Sequence, residues 1–215
     1  TTLIDMDAPT WRGSFEVGAA QGRVVPSLLR SFSAPVILDA ALTDEDRLVL
    51  LAHDTDPFNR WEAGRVLARE GLLAMLYEGA APSDAYLGAL SALLADDGLD
   101  PAFRALALSL PSEEDLARAA FDSNLVPDPT AIHAARTTLA TAMAQALQPT
   151  LADLAKRMTP QGPYSSDAAQ AGQRALRNAA IGLLTRVEGP SRAQALFETA
   201  TNMTDQMEAL TLLLR

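Results

Sequence analysis

The stretch HDTDPFNRWEAGRVL, residues 53–67, gathers His53, Asp54, Asp56, Arg60 and Trp61 into a few positions. Read as a catalytic cluster, it would give the chain chemistry of its own. Read as the capped start of a helix, it makes the chain an array of helices. Asp followed by Pro favours the helix start. Asp56 is placed to accept from the free amides of a first turn, and Pro57 suits the first helical position, where no amide partner is required. Behind them Phe58, Trp61, Ala68, Leu72 and Met75 recur at helical spacing and are expected to form the buried face. Arg60 and Glu62 are expected to pair with neighbours at the surface, where ion pairs contribute little. His53, Asp54 and Asp56 could also be imagined as metal ligands, but no second histidine lies near, and the helix start is the better reading.

The same punctuation recurs downstream. Asp100-Pro101 and Asp128-Pro129 repeat the Asp-Pro start. Thr43 precedes Asp44-Glu45-Asp46, and Ser112 precedes Glu113-Glu114-Asp115, negative charge that suits the positive end of a helix dipole. Asp167 with Gln170 resembles a capping box. Gly79, Gly98, Gly162 and Gly189 stand where helices are expected to stop. These signals predict about nine helices, over roughly 43–53, 57–78, 83–96, 101–109, 112–121, 129–158, 167–187, 191–199 and 204–215. Ile132, Leu139, Met143, Leu147, Leu151, Leu154 and Met158 fall on one face of the longest, within which Pro149 is expected to cause a kink or an interruption. Leu176, Ala180, Leu183, Leu184 and Val187 make a second stripe. The links are short, so successive helices are expected to be antiparallel neighbours. No strict repeat is visible. The fold class expected is mainly α, an irregular superhelix resembling a degenerate solenoid.

The first forty residues read differently. TTLIDM, RGSFEVG and SAPVILD are short, and in places apolar and polar residues alternate, as in Phe15-Glu16-Val17. They are expected to be strands or extended segments, too few for an independent sheet. The working division is therefore 1–40 and 41–215.

Of the 215 residues, 48% are apolar and only 5% aromatic, a composition that favours helices and permits a sizeable core. Net charge is −10, and the arginines are scattered, with Lys156 the sole lysine. No basic patch points to nucleic acid. No apolar run is long enough to span a membrane, and no signal peptide pattern stands at the start. Cysteine is absent, which excludes disulfides and thiolate chemistry and fits a cytoplasmic protein. A start at Thr1 hints at a piece of a longer polypeptide. His133, beside the apolar stripe, is expected to be a partly buried structural residue. Neither histidine begins H-E-x-x-H, no G-x-S-x-G elbow occurs, and Lys156 follows no glycine-rich loop. No catalytic or metal-binding residue is assigned, and no substrate-binding residue is identified.

Several stretches taken together carry a family resemblance: VVPSLLRSFSAPVILD (24–39), HDTDPFNRWEAGRVLARE (53–70), RALRNAAIGLL (174–184) and ATNMTDQMEAL (200–210). The sharpest markers are Phe32-Ser33-Ala34-Pro35-Val36, Phe58-x-Arg60-Trp61-x-Ala63, Arg177-Asn178 and Asn202-Met203-Thr204-Asp205. In this order they resemble the C-terminal part of bacterial aminopeptidase N, the alanyl branch of the zinc aminopeptidases. The resemblance implies that residues 1–40 end a β-sandwich and that 41–215 begin a helical superhelix capping the active-site chamber. It implies zinc in the parent enzyme, polarising a peptide carbonyl and activating water with a glutamate as general base. The family's zinc motif and its G-x-M-E-N motif are missing from this sequence, so no family catalytic residue maps onto it.

The expected function is thus the non-catalytic helical region of an aminopeptidase, inactive alone and without a cofactor of its own. Its expected partners are the catalytic domain of the same polypeptide and, in the full-length enzyme, peptide substrates. Faces that dock on the missing domain should be apolar and promote self-association. Two other readings stand beside it: a stand-alone helical-repeat scaffold that binds proteins or peptides, and an unrecognised small hydrolase.

Overall fold

The computed structural model describes residues 2–5, 7–16, 22–36, 38 and 40–214. Among them lie ten α-helices: α1 (Asp44–His53), α2 (Pro57–Tyr77), α3 (Asp84–Ala95), α4 (Pro101–Ala107), α5 (Glu113–Asp122), α6 (Pro129–Ala146), α7 (Gln148–Arg157), α8 (Ala168–Glu188), α9 (Ser191–Thr199) and α10 (Met203–Leu213). A short 3₁₀ turn, Arg30–Phe32, precedes them. The mainly helical class is as expected.

The helix starts follow from local chemistry. Asp56, Asp100 and Asp128 each accept from first-turn amides, and Pro follows each of them at a position where no donor is missed. Thr43 with Asp46 and Ser112 with Asp115 complete reciprocal capping boxes. Asp167 departs from expectation. Its side chain accepts from the Gln170 amide, but the Gln170 side chain does not reach back to it. Gln170 Oε1 instead accepts from the Ser165 amide at 3.0 Å and fastens the preceding loop. The tenth helix comes from a break in the expected 129–158 helix. The chain leaves helical geometry at Leu147 (φ −101°, ψ 5°), and Pro149 opens α7.

Helix α8 is the hub, packed against α4, α6, α7, α9 and α10. Its Leu176, Ala180 and Leu184 are fully buried within the core that also holds Leu51, Leu72, Leu93, Leu116, Met143 and Leu151. Successive helices are neighbours in the pairs α1–α2, α7–α8 and α9–α10, whereas the main partner of α4 is α8, far along the chain. Two glycines permit close approach. A Cβ at Gly64 would stand 3.1 Å from Leu51, and one at Gly182 would stand 3.0 Å from Leu212.

The face of α2 needs correcting. Phe58, Trp61 and Met75 are half-buried, and the fully buried positions are Arg60, Ala63, Gly64, Leu67, Ala68 and Leu72. Arg60 does pair with an acid, the half-exposed Asp96, but its own side chain lies in the interior. It is 4% exposed, and its Nε and Nη2 donate to the Leu51 and Ala52 carbonyls at 3.0 Å each. It thereby satisfies the free carbonyls at the end of α1. Glu62 does pair at the surface, with Arg65.

Residues 1–40 contain no strand among those described, so the expected β segment is not what this region shows. Thr1, Met6, Val17, Gly18, Ile37 and Asp39 of the expected strands, and Arg215 at the end of the last helix, lie outside the described residues. Residues 23–32 run beside α1 and α2 without a sheet partner.

Candidate functional site

The sequence cluster at 53–61 turns out to be a clasp. Asp56 caps α2 through Oδ1, and its Oδ2 accepts from the Ser31 amide at 2.8 Å. Asp54 Oδ1 accepts from Arg30 Nη1 at 2.7 Å and from the Asp56 amide at 2.9 Å. Arg30 Nη2 also donates to Thr55, and Asn59 Nδ2 donates to Ser27 at 2.8 Å. Phe32 meets Phe58 edge-on at 5.2 Å. Upstream, Arg23 pairs with the buried Asp46 at the other end of α1. The clasp holds Leu29, Ser31 and Phe32 at positive φ, a conformation that non-glycine residues adopt only where their surroundings impose it. Burial pushes the Asp54 carboxyl up, but hydrogen bonds from Ser27, the Asp56 amide and Arg30 outweigh it and hold the group below its ordinary value. His53 is exposed and takes no part.

A second fastener joins two other marker stretches. Arg177 of α8 donates from Nη2 to Asp205 Oδ1 at 2.5 Å, with both side chains buried. Its Nε donates to Asn178 Oδ1 at 3.1 Å. Asn202 caps α10 on the Asp205 amide, and its Nδ2 donates to Asp205 Oδ2 at 2.9 Å. A third gathers arginines from three helices at the α3–α4 link. Asp96 accepts from Arg60 at 3.2 Å, and Asp97 accepts from Arg104 at 3.1 Å and Arg157 at 2.9 Å. All three are structural in geometry, each acid being engaged by arginine or backbone amides.

One hollow of about 600 Å³ lies at the clasp, and a longer concave feature runs along α8. Ala171, Ala175, Ala179, Gly182 and Arg186 share one face of that helix, and small side chains leave it low. Helices α4, α6 and α10 rise around it. The result is a run of three adjoining hollows of about 590, 310 and 620 Å³. The first and second share Asn178, Ala179 and Glu208; the second and third share Arg136, Gly182 and Arg186.

The two ends differ chemically. One carries Tyr164, whose ring lies 4.6 Å from the Arg174 guanidinium, together with Thr204 and Glu208. The other carries His133, Arg136, Thr137, Thr141, Thr185 and Arg186, with no acid among its lining residues. Behind that rim Glu113 accepts from His133 Nδ1 at 2.9 Å and stands 3.5 Å from Arg136 Nη1. The hydrogen bond from His133, then the charges of His133 and Arg136, hold the Glu113 carboxyl below its usual range. His133 is thus exposed rather than partly buried. Among the described residues no group of three His, Asp or Glu side chains could hold a metal ion.

The individual residues of this trough escape sequence reading. Its one sequence signal is the run of small residues at 171, 175, 179 and 182 on a single helical face.

Comparison with known proteins places these observations. Residues 44–215 match the family described as "Domain of unknown function (DUF3458_C) ARM repeats". Aminopeptidase N of Caulobacter vibrioides is 46% identical over 193 residues, covering 86% of this chain and 22% of that protein. Aminopeptidase N of Escherichia coli is 31% identical over 194 residues, with the same coverage of each. Among solved structures, Legionella pneumophila aminopeptidase A in complex with aspartic acid aligns at a TM-score of 0.74 and 31% identity, over 90% of this chain and 24% of that one. The chain therefore spans about a fifth of the length of the curated relatives it matches. Its resemblance to the C-terminal helical part of bacterial aminopeptidases is upheld in sequence and in fold. With the match running from the first helix to the last residue, the chain belongs to the DUF3458_C ARM-repeat family.

Proposed function

We propose that this chain is the helical part of a zinc-dependent aminopeptidase that removes N-terminal residues from peptides, and that it serves as a non-catalytic wall capping the reaction chamber. The observation that carries the reading is the match of nearly the whole chain to about a fifth to a quarter of much longer aminopeptidases. A stand-alone scaffold leaves that match unexplained. The zinc of this reading finds no ligand set among the described residues, so no chemical step is assigned to any side chain here. The contribution is shape: packed helices present a trough and exclude bulky substrates.

The partner in this reading is the rest of the same polypeptide. Its docking face is the apolar surface around the clasp, where Leu28, Phe32, Val36 and Leu38 are exposed beside a hollow of about 600 Å³ that Phe58 and Trp61 also line.

The test has two arms. The purified chain, assayed with an alanine amide and analysed for bound metal, should show neither turnover nor stoichiometric zinc; zinc-dependent release of alanine by the chain alone would remove the wall role. The full-length polypeptide that carries the chain should hydrolyse alanine amides and favour short peptides. No hydrolysis, or equal attack on short peptides and the N-termini of folded proteins, would overturn the reading.

A further inference from the structure

We infer that the outer face of α10 is a docking surface for an amphipathic helix that the same polypeptide supplies from outside these 215 residues. The inference rests on the reading above only for the existence of that longer polypeptide.

Helix α10 carries apolar side chains on two opposite sides. Asp205, Ala209 and Leu212 face inward and are buried, with Asp205 engaged by Arg177 and Leu212 set against Gly182 of α8. On the other side Met203, Met207, Leu210 and Leu214 recur at intervals of four, three and four, and they are 70%, 52%, 36% and 78% exposed. A helix with apolar residues on both sides belongs between packed partners. Helices α8 and α9 pack on α10, and among the described residues the outer stripe is left open.

The spacing selects a helix as the occupant. Residues at i, i+4, i+7 and i+11 form one ridge, the pattern met by a helix laid alongside. From Met203 to Leu214 the ridge runs about 16 Å, three turns, so a helix of about eleven residues or more covers it. Methionine at two of the four positions lets the surface adapt to the ridge it meets. Thr204, Gln206 and Thr211 beside the stripe are uncharged, so recognition rests on packing rather than on ion pairs. A lipid surface is disfavoured. Helices that lie on membranes carry Lys or Arg along their polar face, and residues 203–214 hold neither, in a chain of net charge −10.

Repeat packing assigns the helix to the same polypeptide. In stacked helical repeats each unit buries its faces on its neighbours, and a unit that closes the stack has a polar outer side. Helix α10 lacks one, in a chain whose family is one of ARM repeats. At the other end of the array α1 is fastened to residues 23–32 through Arg23 and Arg30. The chain matches about a fifth of its longer relatives, so those proteins hold further chain able to complete the stack.

The test is methionine footprinting with hydrogen peroxide, read by tandem mass spectrometry, on the 215-residue chain and on the full-length polypeptide that carries it. In the chain alone Met203 and Met207 should oxidise at least about tenfold faster than the fully buried Met143. In the full-length polypeptide they should slow by about tenfold, at low and high salt alike. Met207→Glu, at a position exposed in the chain alone, should leave the thermal midpoint of that chain unaltered and restore rapid oxidation of Met203 in the full-length polypeptide. p-Benzoylphenylalanine in place of Leu210 should cross-link within the full-length polypeptide, to a segment outside these residues whose apolar side chains lie three and four apart. Equal oxidation in the two proteins, or a cross-link to a segment without that spacing, would overturn the proposal. So would protection of the 215-residue chain that rises with its concentration to the full-length level, which assigns the face to a second copy, or protection that arises only with phosphatidylglycerol vesicles. Hydrolysis of alanine amides with Met203 and Met207 unprotected would remove this docking face and spare the aminopeptidase reading. Protection without hydrolysis would do the reverse.

Discussion

Arg177 illustrates how a few buried charges hold this array together. Burial pushes its guanidinium below the ordinary value, and Asp205 opposes that shift from 2.5 Å. Such a pair adds little over an apolar pair but costs much when halved. Asp205→Ala should cost about 3 kcal/mol in urea unfolding. Arg177→Met combined with Asp205→Leu should cost less than either single change, the mark of a coupled pair. Asp54 makes a pH prediction. Its folded value lies below the ordinary 3.8, so its contribution is present above that pH and is lost as pH falls through the folded value. Urea midpoints of wild type and Asp54→Asn should differ at pH 7 and converge in acid. The caps on α2, α4 and α6 were legible because cap and amide are two or three residues apart. The pairing of Asp54 was not, because Arg30 lies 24 residues upstream.

At the level of the helix, the Asp-Pro starts behave as local devices. Asp128 accepts from the amides of Thr130 and Ala131 and is exposed, so Asp128→Ala should remove about 1 kcal/mol by thermal denaturation without altering the fold. Gln170→Ala should leave the α8 cap intact, since Asp167 makes it, and should instead free the Pro163–Ser165 loop, to which Gln170 bonds at both ends. Hydrogen exchange confined to that loop is the expected readout. The α6–α7 break was readable from Pro149. The burial of Arg60 on α2 was not, because periodicity alone assigns an arginine to the solvent face. The carbonyls it satisfies belong to the end of another helix.

For the molecule as a whole, stability is expected to centre on α8. Leu176 is fully buried at the hub, and Leu176→Ala should cost about 3 kcal/mol and lower cooperativity across α4, α6 and α7 together. The apolar face at the clasp predicts association. Light scattering should show mass rising with concentration, and Phe32→Ser, at a position 58% exposed, should reduce it. A clean monomer at high concentration would argue against that face as a docking surface.

Local chemistry was enough to identify helices, their caps, the α6–α7 interruption and the absence of familiar catalytic motifs, because each depends on residues within a few positions. The marker stretches carried the family resemblance but not the reason they travel together. Only the folded chain brings Arg30 to Asp54 and Arg177 to Asp205. The trough likewise exists only in three dimensions: its floor is one helix and its walls are three others, distant in sequence. Small side chains spaced along one helix become the floor of a trough when α4, α6 and α10 pack around α8.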